Sequence, residues 1–262
     1  MAIEIVTLPC LEDNYAYIIH DPVSTATALV DVADHEPILA ELDRRGWRLT
    51  DVWITHHHWD HVDGLAPLLD ALAAKGIAPL VTAAAADMHR MPEGLITDTV
   101  EEGSNMRFGD HPVQVFDVSG HTINHIAFYL AAANAAFTAD SLMALGCGRL
   151  FEGTPAQMWK SLQKLRVLPP ETVICSGHEY TASNAKFALT IEPDNSELIS
   201  RVRAVTAARD KGVPTVPSLL SDEINTNPFL RADHPDLQHA VGMAGANASE
   251  VFAHVRRAKD QF

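Results

Sequence analysis

Cysteine, positive charge and long apolar runs are all scarce in this chain of 262 residues. Its three cysteines, Cys10, Cys147 and Cys175, are an odd and sparse set, which argues against a disulfide framework and for a reduced, cytoplasmic protein. Only 19 Lys and Arg oppose 34 Asp and Glu, a formal charge of −15. Nucleic acid and anionic membrane surfaces both require a positive face, so neither is expected as a partner. An anionic substrate would need local cations to overcome that field. Nowhere does an apolar stretch approach the ~18 residues of a membrane span. The opening MAIEIVTLPCLEDNYAYIIHD shows no basic region followed by an apolar run and a small-residue cleavage site, so no secretory signal is expected. What is present is a 47% apolar, 20% charged composition, enough for one large domain or a domain with an appendage.

In the first half, short β-type runs alternate with glycine, proline and polar punctuation. Strands are expected at 3–8, 15–20, 27–32, 51–55, 112–118, 126–130 and 135–138. Helical patterns fall at 36–45, 64–75 and 83–89, with Gly46 and Gly76 placed as C-terminal stops. A further helix should open at Thr154-Pro155 and run to about Arg166, since a capping residue there precedes proline at the first helical position. A short strand at 172–176 follows. Beyond residue 179 the pattern turns helical, at 181–192, 195–212 and 248–262. Strands first and helices last suggest an α/β domain carrying a helical C-terminal piece.

The densest chemistry is THHHWDHVDG at 55–64, four histidines and two aspartates directly after the apolar DVWI. Imidazole and carboxylate are ligands for zinc, iron or manganese in hydrolytic sites, whereas structural zinc sites are rich in cysteine, and none lies nearby. His56 and His58 are two apart, so on an extended segment they point the same way. Asp60 and His61 follow where the chain must turn into a helix near Asp63, which re-aims them. One loop can thus give two ligands to each of two adjacent metal positions. His57 and Trp59 alternate out of phase and are expected to face away, packing and hydrogen bonding behind the ligands. Four ligands do not complete two sites. His121 in SGHT, Asp140 in FTADS and His178 in SGHEY each follow an apolar run, where loops at strand ends gather functional groups. The remaining histidines, His125 among them, read as surface or core residues.

THHHWDHVDG, SGHT, FTADS and SGHEYTASNAKFA resemble the serial motifs of the metallo-β-lactamase superfamily and, more narrowly, of the hydroxyacylglutathione hydrolases, the glyoxalase II family. The likeness continues through LPCLEDNYAYII, GCGRLFEGT, TNPFLR and VRRAKDQF, nearly end to end. It implies an α/β fold: an αββα sandwich carrying the catalytic site at 1–178, then a small all-helical glutathione-binding domain at 179–262. It implies two divalent ions, zinc first and iron or manganese as alternatives. His56, His58 and His121 would hold one ion, Asp60, His61 and His178 the other, and Asp140 would bridge them. A hydroxide shared by ions ~3.5–4 Å apart would attack the thioester of S-D-lactoylglutathione, releasing glutathione and D-lactate in methylglyoxal detoxification. Asp60 would orient that hydroxide.

The same resemblance places Arg256 and Lys259 on the glycine carboxylate of glutathione, and Arg149 and Tyr180 on its peptide portion. Without it, VRRAKD would read as a solvated helix face. This chain departs from the family pattern at Asp63, where a glycine is usual, and at Asn124, also commonly glycine. Arg149 replaces a lysine and Phe151 a tyrosine. Asp63 is a reasonable helix N-cap. The alternative within the superfamily, a mononuclear-iron glutathione-persulfide dioxygenase, shares much of the ligand set but generally lacks a tail like VRRAKDQF. A monomer is expected.

Overall fold

The computed structural model describes residues 2–262. The chain divides into two compact units, the first running to Asp117 and adding Asn124–Phe137, the second comprising Val118–Ile123 and Thr138–Phe262.

The first unit opens with an antiparallel meander, β1 (Glu4–Cys10), β2 (Asn14–His20) and β3 (Thr27–Val30). Parallel strands then extend the sheet: β4 (Asp51–Trp53), β5 (Leu80–Ala84) and β6 (Asp98–Val100). Parallel neighbours need crossovers. Helix α1 (His35–Arg45) supplies the first, and the short α2 (Trp59–Val62) with α3 (Leu65–Ala74) the second. Asp34 caps α1 by accepting from the Glu36 N–H, and Gly46 ends it in the left-handed conformation at φ 67°. The sheet order is β1-β2-β3-β4-β5-β6.

Both faces of this sheet are covered. On one, Leu29, Val52, Ile54 and Val81 pack with Ile38, Leu42, Leu65, Leu68 and Leu72 of the two long helices. On the other, Trp53 meets Phe108, Phe128 and Phe137 with ring centroids 5.8, 5.3 and 6.3 Å away. Those three phenylalanines belong to an antiparallel run of β7 (Met106–Phe108), β8 (His111–Asp117), β9 (Ile126–Leu130) and β10 (Ala135–Ala139). Two sheets therefore share an aromatic seam.

Strand β10 passes into the second unit, where the Ala139 carbonyl accepts from the Gly177 N–H just after β13 (Val173–Ser176). Strand β14 (Ser218–Leu219) pairs antiparallel with β13. A two-stranded ribbon, β11 (Leu142–Met143) and β12 (Gly146–Cys147), lies between β10 and α4 (Pro155–Arg166) in sequence. Helix α4 starts with the expected Thr154 cap, completed by Gln157 as a reciprocal capping box. The helices α5 (Thr181–Ile191), α6 (Ser196–Arg209), α7 (Leu220–Thr226), α8 (Pro235–Ala240) and α9 (Ala248–Asp260) follow. Phe229 ties them together, 6.1 Å from Phe187 and 5.7 Å from Phe252 between ring centroids.

Two local expectations differ. Residues 83–89 are not a helix: β5 runs through Ala84 and a 3-10 turn covers Ala85–Arg90. Alanine favours helix, but pairing of Ala83 and Ala84 with β6, continuing the β5 strand, overrides that preference. Asp63 does not cap α3; it closes α2, and Gly64 precedes α3. The Gly64 N–H donates to the Val32 carbonyl at 2.9 Å, and a β-carbon on Gly64 would stand 2.8 Å from that oxygen. Close backbone approach, not capping, selects the residue there. No helix among the described residues is long and apolar enough to cross a membrane.

Candidate metal centre

Each unit builds its own cluster of ligand-type side chains. In the first, the chain leaves β4 at Ile54 and presents Thr55, His56, His57 and His58 before α2 begins. Thr55 is the hinge of the arrangement. Its N–H donates to Asp31 Oδ1 and its hydroxyl to Asp31 Oδ2, both at 2.8 Å. That hydroxyl lies 3.0 Å from His56 Nδ1. A hydroxyl has one proton, and Asp31 takes it, so Thr55 must accept from the His56 Nδ1–H. His61 Nδ1 likewise lies 2.8 Å from Asp31 Oδ2, a carboxylate that only accepts. Both imidazoles are thereby fixed in the tautomer that leaves the Nε2 lone pair for a cation. Asp31 itself sits in a left-handed conformation at φ 57° and is buried.

Ligand-type atoms of Asp31, His56 and His61 lie within 4.8 Å of one another. Since Asp31 is occupied with Thr55 and His61, it orients the imidazoles instead of binding beside them. The His58 ring stands 4.8 Å from that of His56, at the N-terminus of α2. Asp60 is held by Asn14, whose Nδ2 donates to both its backbone carbonyl and its Oδ2, at 3.1 and 3.0 Å. His57 faces away as expected and reaches the fully buried Asp87 at 2.9 Å. Trp59 does not pack behind the ligands as expected but opens the short α2 on the surface, 63% exposed. His125 is a core residue, its ring stacked 4.5 Å from that of His56.

In the second unit His121, Asp140 and His178 are all buried and adjacent. Asp140 Oδ2 lies 3.3 Å from His121 Nε2 and Asp140 Oδ1 lies 3.4 Å from His178 Nε2. Two ligand atoms each ~2.1 Å from one tetrahedral cation are ~3.4 Å apart. Each carboxylate oxygen thus faces a different imidazole at a spacing that would let it share a cation with that imidazole. His121 Nδ1 donates to the Arg149 carbonyl at 2.7 Å, again reserving Nε2. The donor set of imidazole and carboxylate without thiolate fits a divalent ion in a hydrolytic site.

None of the three cysteines offers a nucleophile. All are free and buried, and burial pushes the Cys10 and Cys147 thiols up to about 11. Cys175 is raised by the same cause.

The candidate substrate-binding residues differ sharply in exposure. Arg149 is 65% exposed at the side chain and 4.0 Å from Asp260. Tyr180 is 40% exposed and stacks on His178 at 4.7 Å. Lys259 lies 3.4 Å from the Ser183 hydroxyl. Burial, then the charges of Arg256 and Arg149, hold its ammonium below the usual lysine range. Arg256 does not share an open face with Lys259. It is 5% exposed, donates to the Cys147 carbonyl at 3.1 Å and to Asp260 at 2.8 Å, and lies over the Phe229 ring. The buried stripe of α9 is Val251, Phe252 and Val255, and position 256 falls on it, one turn beyond Phe252.

Residues 12–178 match the metallo-β-lactamase superfamily, and residues 179–262 match the hydroxyacylglutathione hydrolase C-terminus. A hydroxyacylglutathione hydrolase of Ruegeria pomeroyi is 58% identical over 262 residues, covering 100% of both chains. The chain belongs to the hydroxyacylglutathione hydrolase family. Solved structures show the same fold at greater distance. ETHE1 from Myxococcus xanthus has a TM-score of 0.65 at 22% identity, over 98% of this chain and 90% of that one. TTHA1623, in a di-iron-bound form, has a TM-score of 0.61 at 26% identity, over 87% of this chain and 100% of that one. The family is one of enzymes that bind divalent metal, in keeping with the His/Asp clusters described above.

Asp31, Asn14 and Asp87 were not singled out from sequence. Asp31 carries a usable signal, a carboxylate directly after the apolar run ALV, much as Asp140 follows the strand residues of FTADS.

Proposed function

We propose that this protein hydrolyses S-D-lactoylglutathione to glutathione and D-lactate, with 1–178 as the catalytic domain and 179–262 as the glutathione-binding domain. The two clusters would act as one site. His56, His58 and His121 would hold one divalent ion, and Asp60, His61 and His178 the second. Asp140, which carries the reading, would give one oxygen to each. Zinc is the first choice for both ions. When bound, such a pair lowers the pKa of a shared water and polarises a carbonyl.

The remaining roles belong to the chain. Asp60, steadied by Asn14 at Oδ2, accepts a hydrogen bond from the attacking water and aims it at the thioester carbon. As the new C–O bond forms, the C–S bond breaks and glutathione departs as thiolate. A thiol pKa of about 8.5 makes that departure easy without a strong general acid. The water's two protons, one lost on activation and one as the new acid ionises, pass to solvent or to the thiolate, leaving D-lactate as a carboxylate. Arg149 and Lys259 attract the two carboxylates of glutathione, and the mutual repulsion of the cations around Lys259 is relieved when an anion arrives. Tyr180 packs beside His178 and borders the peptide portion. Three free, buried thiols favour a reducing compartment, the cytoplasm, and we expect a monomer.

The test is thiol release from S-D-lactoylglutathione, with elemental analysis of the same sample. Two ions per chain and chelator-sensitive turnover are expected. Metal-replete protein that releases no thiol overturns the reading.

A further inference from the structure

The motifs GCGRLF and TNPFLR lie about 80 residues apart in sequence and meet in the second unit. Asn227 Nδ2 donates to the carbonyls of Met143 and Gly146 at 3.1 and 2.9 Å. Glu223, fully buried, accepts from the Leu145 N–H at 2.8 Å. Asn184 Nδ2 donates to the Ala144 carbonyl at 3.0 Å. Arg256 completes the set with its bond to the Cys147 carbonyl at 3.1 Å. Four side chains, from α5, α7, the residue just after α7, and α9, therefore grip five consecutive residues, 143–147, including Leu145 in a left-handed conformation at φ 56°. An exposed loop has no use for that much fixation.

The gripped segment leads straight to two candidate metal ligands. Gly148 donates its N–H to the Ser141 carbonyl at 3.2 Å. A β-carbon on Gly148 would run into the Asp140 carbonyl and come within 2.9 Å of His121 Nδ1. The next residue, Arg149, provides the carbonyl that accepts from that same nitrogen at 2.7 Å. The path from the Arg256 guanidinium to the His121 ring is two hydrogen bonds joined by three residues of backbone. Every link is buried or hydrogen-bonded.

We infer that Arg256 is a positioning residue for the metal ligands: through the Cys147 carbonyl it fixes the 147–149 backbone, and so the orientation of His121 and the seat of Asp140. This rests on the proposed metal centre and deepens it. The C-terminal helices are then part of the architecture that aims two ligands, in addition to any contact they make with glutathione. A guanidinium suits the task because its planar fork serves the Cys147 carbonyl and the Asp260 carboxylate together. An ammonium at the end of a lysine lacks that fixed fork.

A substrate-contact role and a positioning role give different results with Arg256→Ala and Arg256→Lys. Cobalt(II) is titrated into metal-free wild type and both variants, following the visible absorption of the ion. Turnover is measured with a lactoyl thioester of a simple alkyl thiol that carries no carboxylate. Positioning predicts altered cobalt absorption in both variants with no substrate present, cobalt affinity weaker by about 10-fold or more, and a similar fall in kcat on the carboxylate-free thioester. Pure substrate contact predicts wild-type spectra and affinity, wild-type kcat on that thioester, and a raised KM for the glutathione thioester only; that result overturns the inference. Thermal melting establishes that each variant is folded. If Arg256→Ala does not fold, Arg256→Lys decides, since it keeps the positive charge over Phe229. Wild type that binds no cobalt would instead refute the metal centre itself.

Discussion

The two ligand clusters solve one problem by opposite means. In the loop cluster at 56–61, four candidate ligands arrive from six consecutive residues, and the imidazole Nδ1 atoms are set by side chains, with the single carboxylate of Asp31 backing His56 through Thr55 and His61 directly. In the dispersed cluster, His121, Asp140 and His178 come from three separate turns, and the known Nδ1 anchor is a main-chain carbonyl, that of Arg149. A side-chain anchor can be removed by one substitution. A backbone anchor is only as firm as whatever holds the backbone, which here is the set of helical side chains on 143–147.

The largest expected effect tests the dispersed cluster at its centre. Asp140→Ala removes both oxygens that face His121 and His178 and should lower turnover by more than about 100-fold, beyond the usual effect of residues that merely support ligands, while reducing bound metal below two per chain. Elemental analysis of a variant that retains two ions would break the comparison. Asp31→Asn tests the loop cluster next. Asparagine tolerates the left-handed conformation at this position, so the change isolates the carboxylate. Metal affinity should weaken by about 10–100-fold, with both sites affected, because one group backs an imidazole assigned to each. Loss at one site alone would show that Thr55 holds His56 without help.

Lys259→Ala touches neither cluster. It should raise KM for the glutathione thioester by about 10-fold with kcat nearly unchanged, the signature of uniform binding. Arg256 variants, by contrast, should change kcat as well, so the pair separates contact from support. The smallest effect lies far from the site, on α1. Arg44 and Arg45 hold the Glu41 carboxyl at about 2, well below the 4.5 of an unfolded glutamate. Its contribution is complete above pH 4.5 and is lost as pH falls through that window toward 2. Glu41→Gln should flatten that part of the acid-unfolding curve, cost less than about 1 kcal/mol near neutrality, and leave metal content and kcat unaltered.

The contrast between clusters also explains what could be read from sequence. HHHWDH is legible because period-2 alternation and the strand-to-helix turn are local facts, and the structure duly turns His57 away to Asp87. His121, Asp140 and His178 were legible only as strand-end residues, and their mutual spacing depends on strand pairing that no local pattern encodes. VRRAKD was illegible for a related reason: charged residues alone read as a solvated face, whereas Phe252 and Val255 on the same stripe carry position 256 into the interior. TNPFLR carried the resemblance without revealing its purpose, since the carbonyls that Asn227 serves lie 84 and 81 residues away. The helix expected at 83–89 failed because Ala83 and Ala84 are drawn into the parallel sheet and only a 3-10 turn follows at Ala85–Arg90.

Gly148 has a practical consequence for anyone reshaping what this enzyme accepts. With no room for even a methyl group beside Asp140, that position is closed to diversification, and Gly146, pressed against Asn184, is closed as well. Immediately downstream the chain opens: the Arg149 side chain is 65% exposed and Phe151 is 61% exposed. A randomised library belongs at Arg149 first, whose side chain points away from the scaffold's interior, because the Phe151 ring stands 5.3 Å from that of His121 and its replacement reaches a candidate ligand.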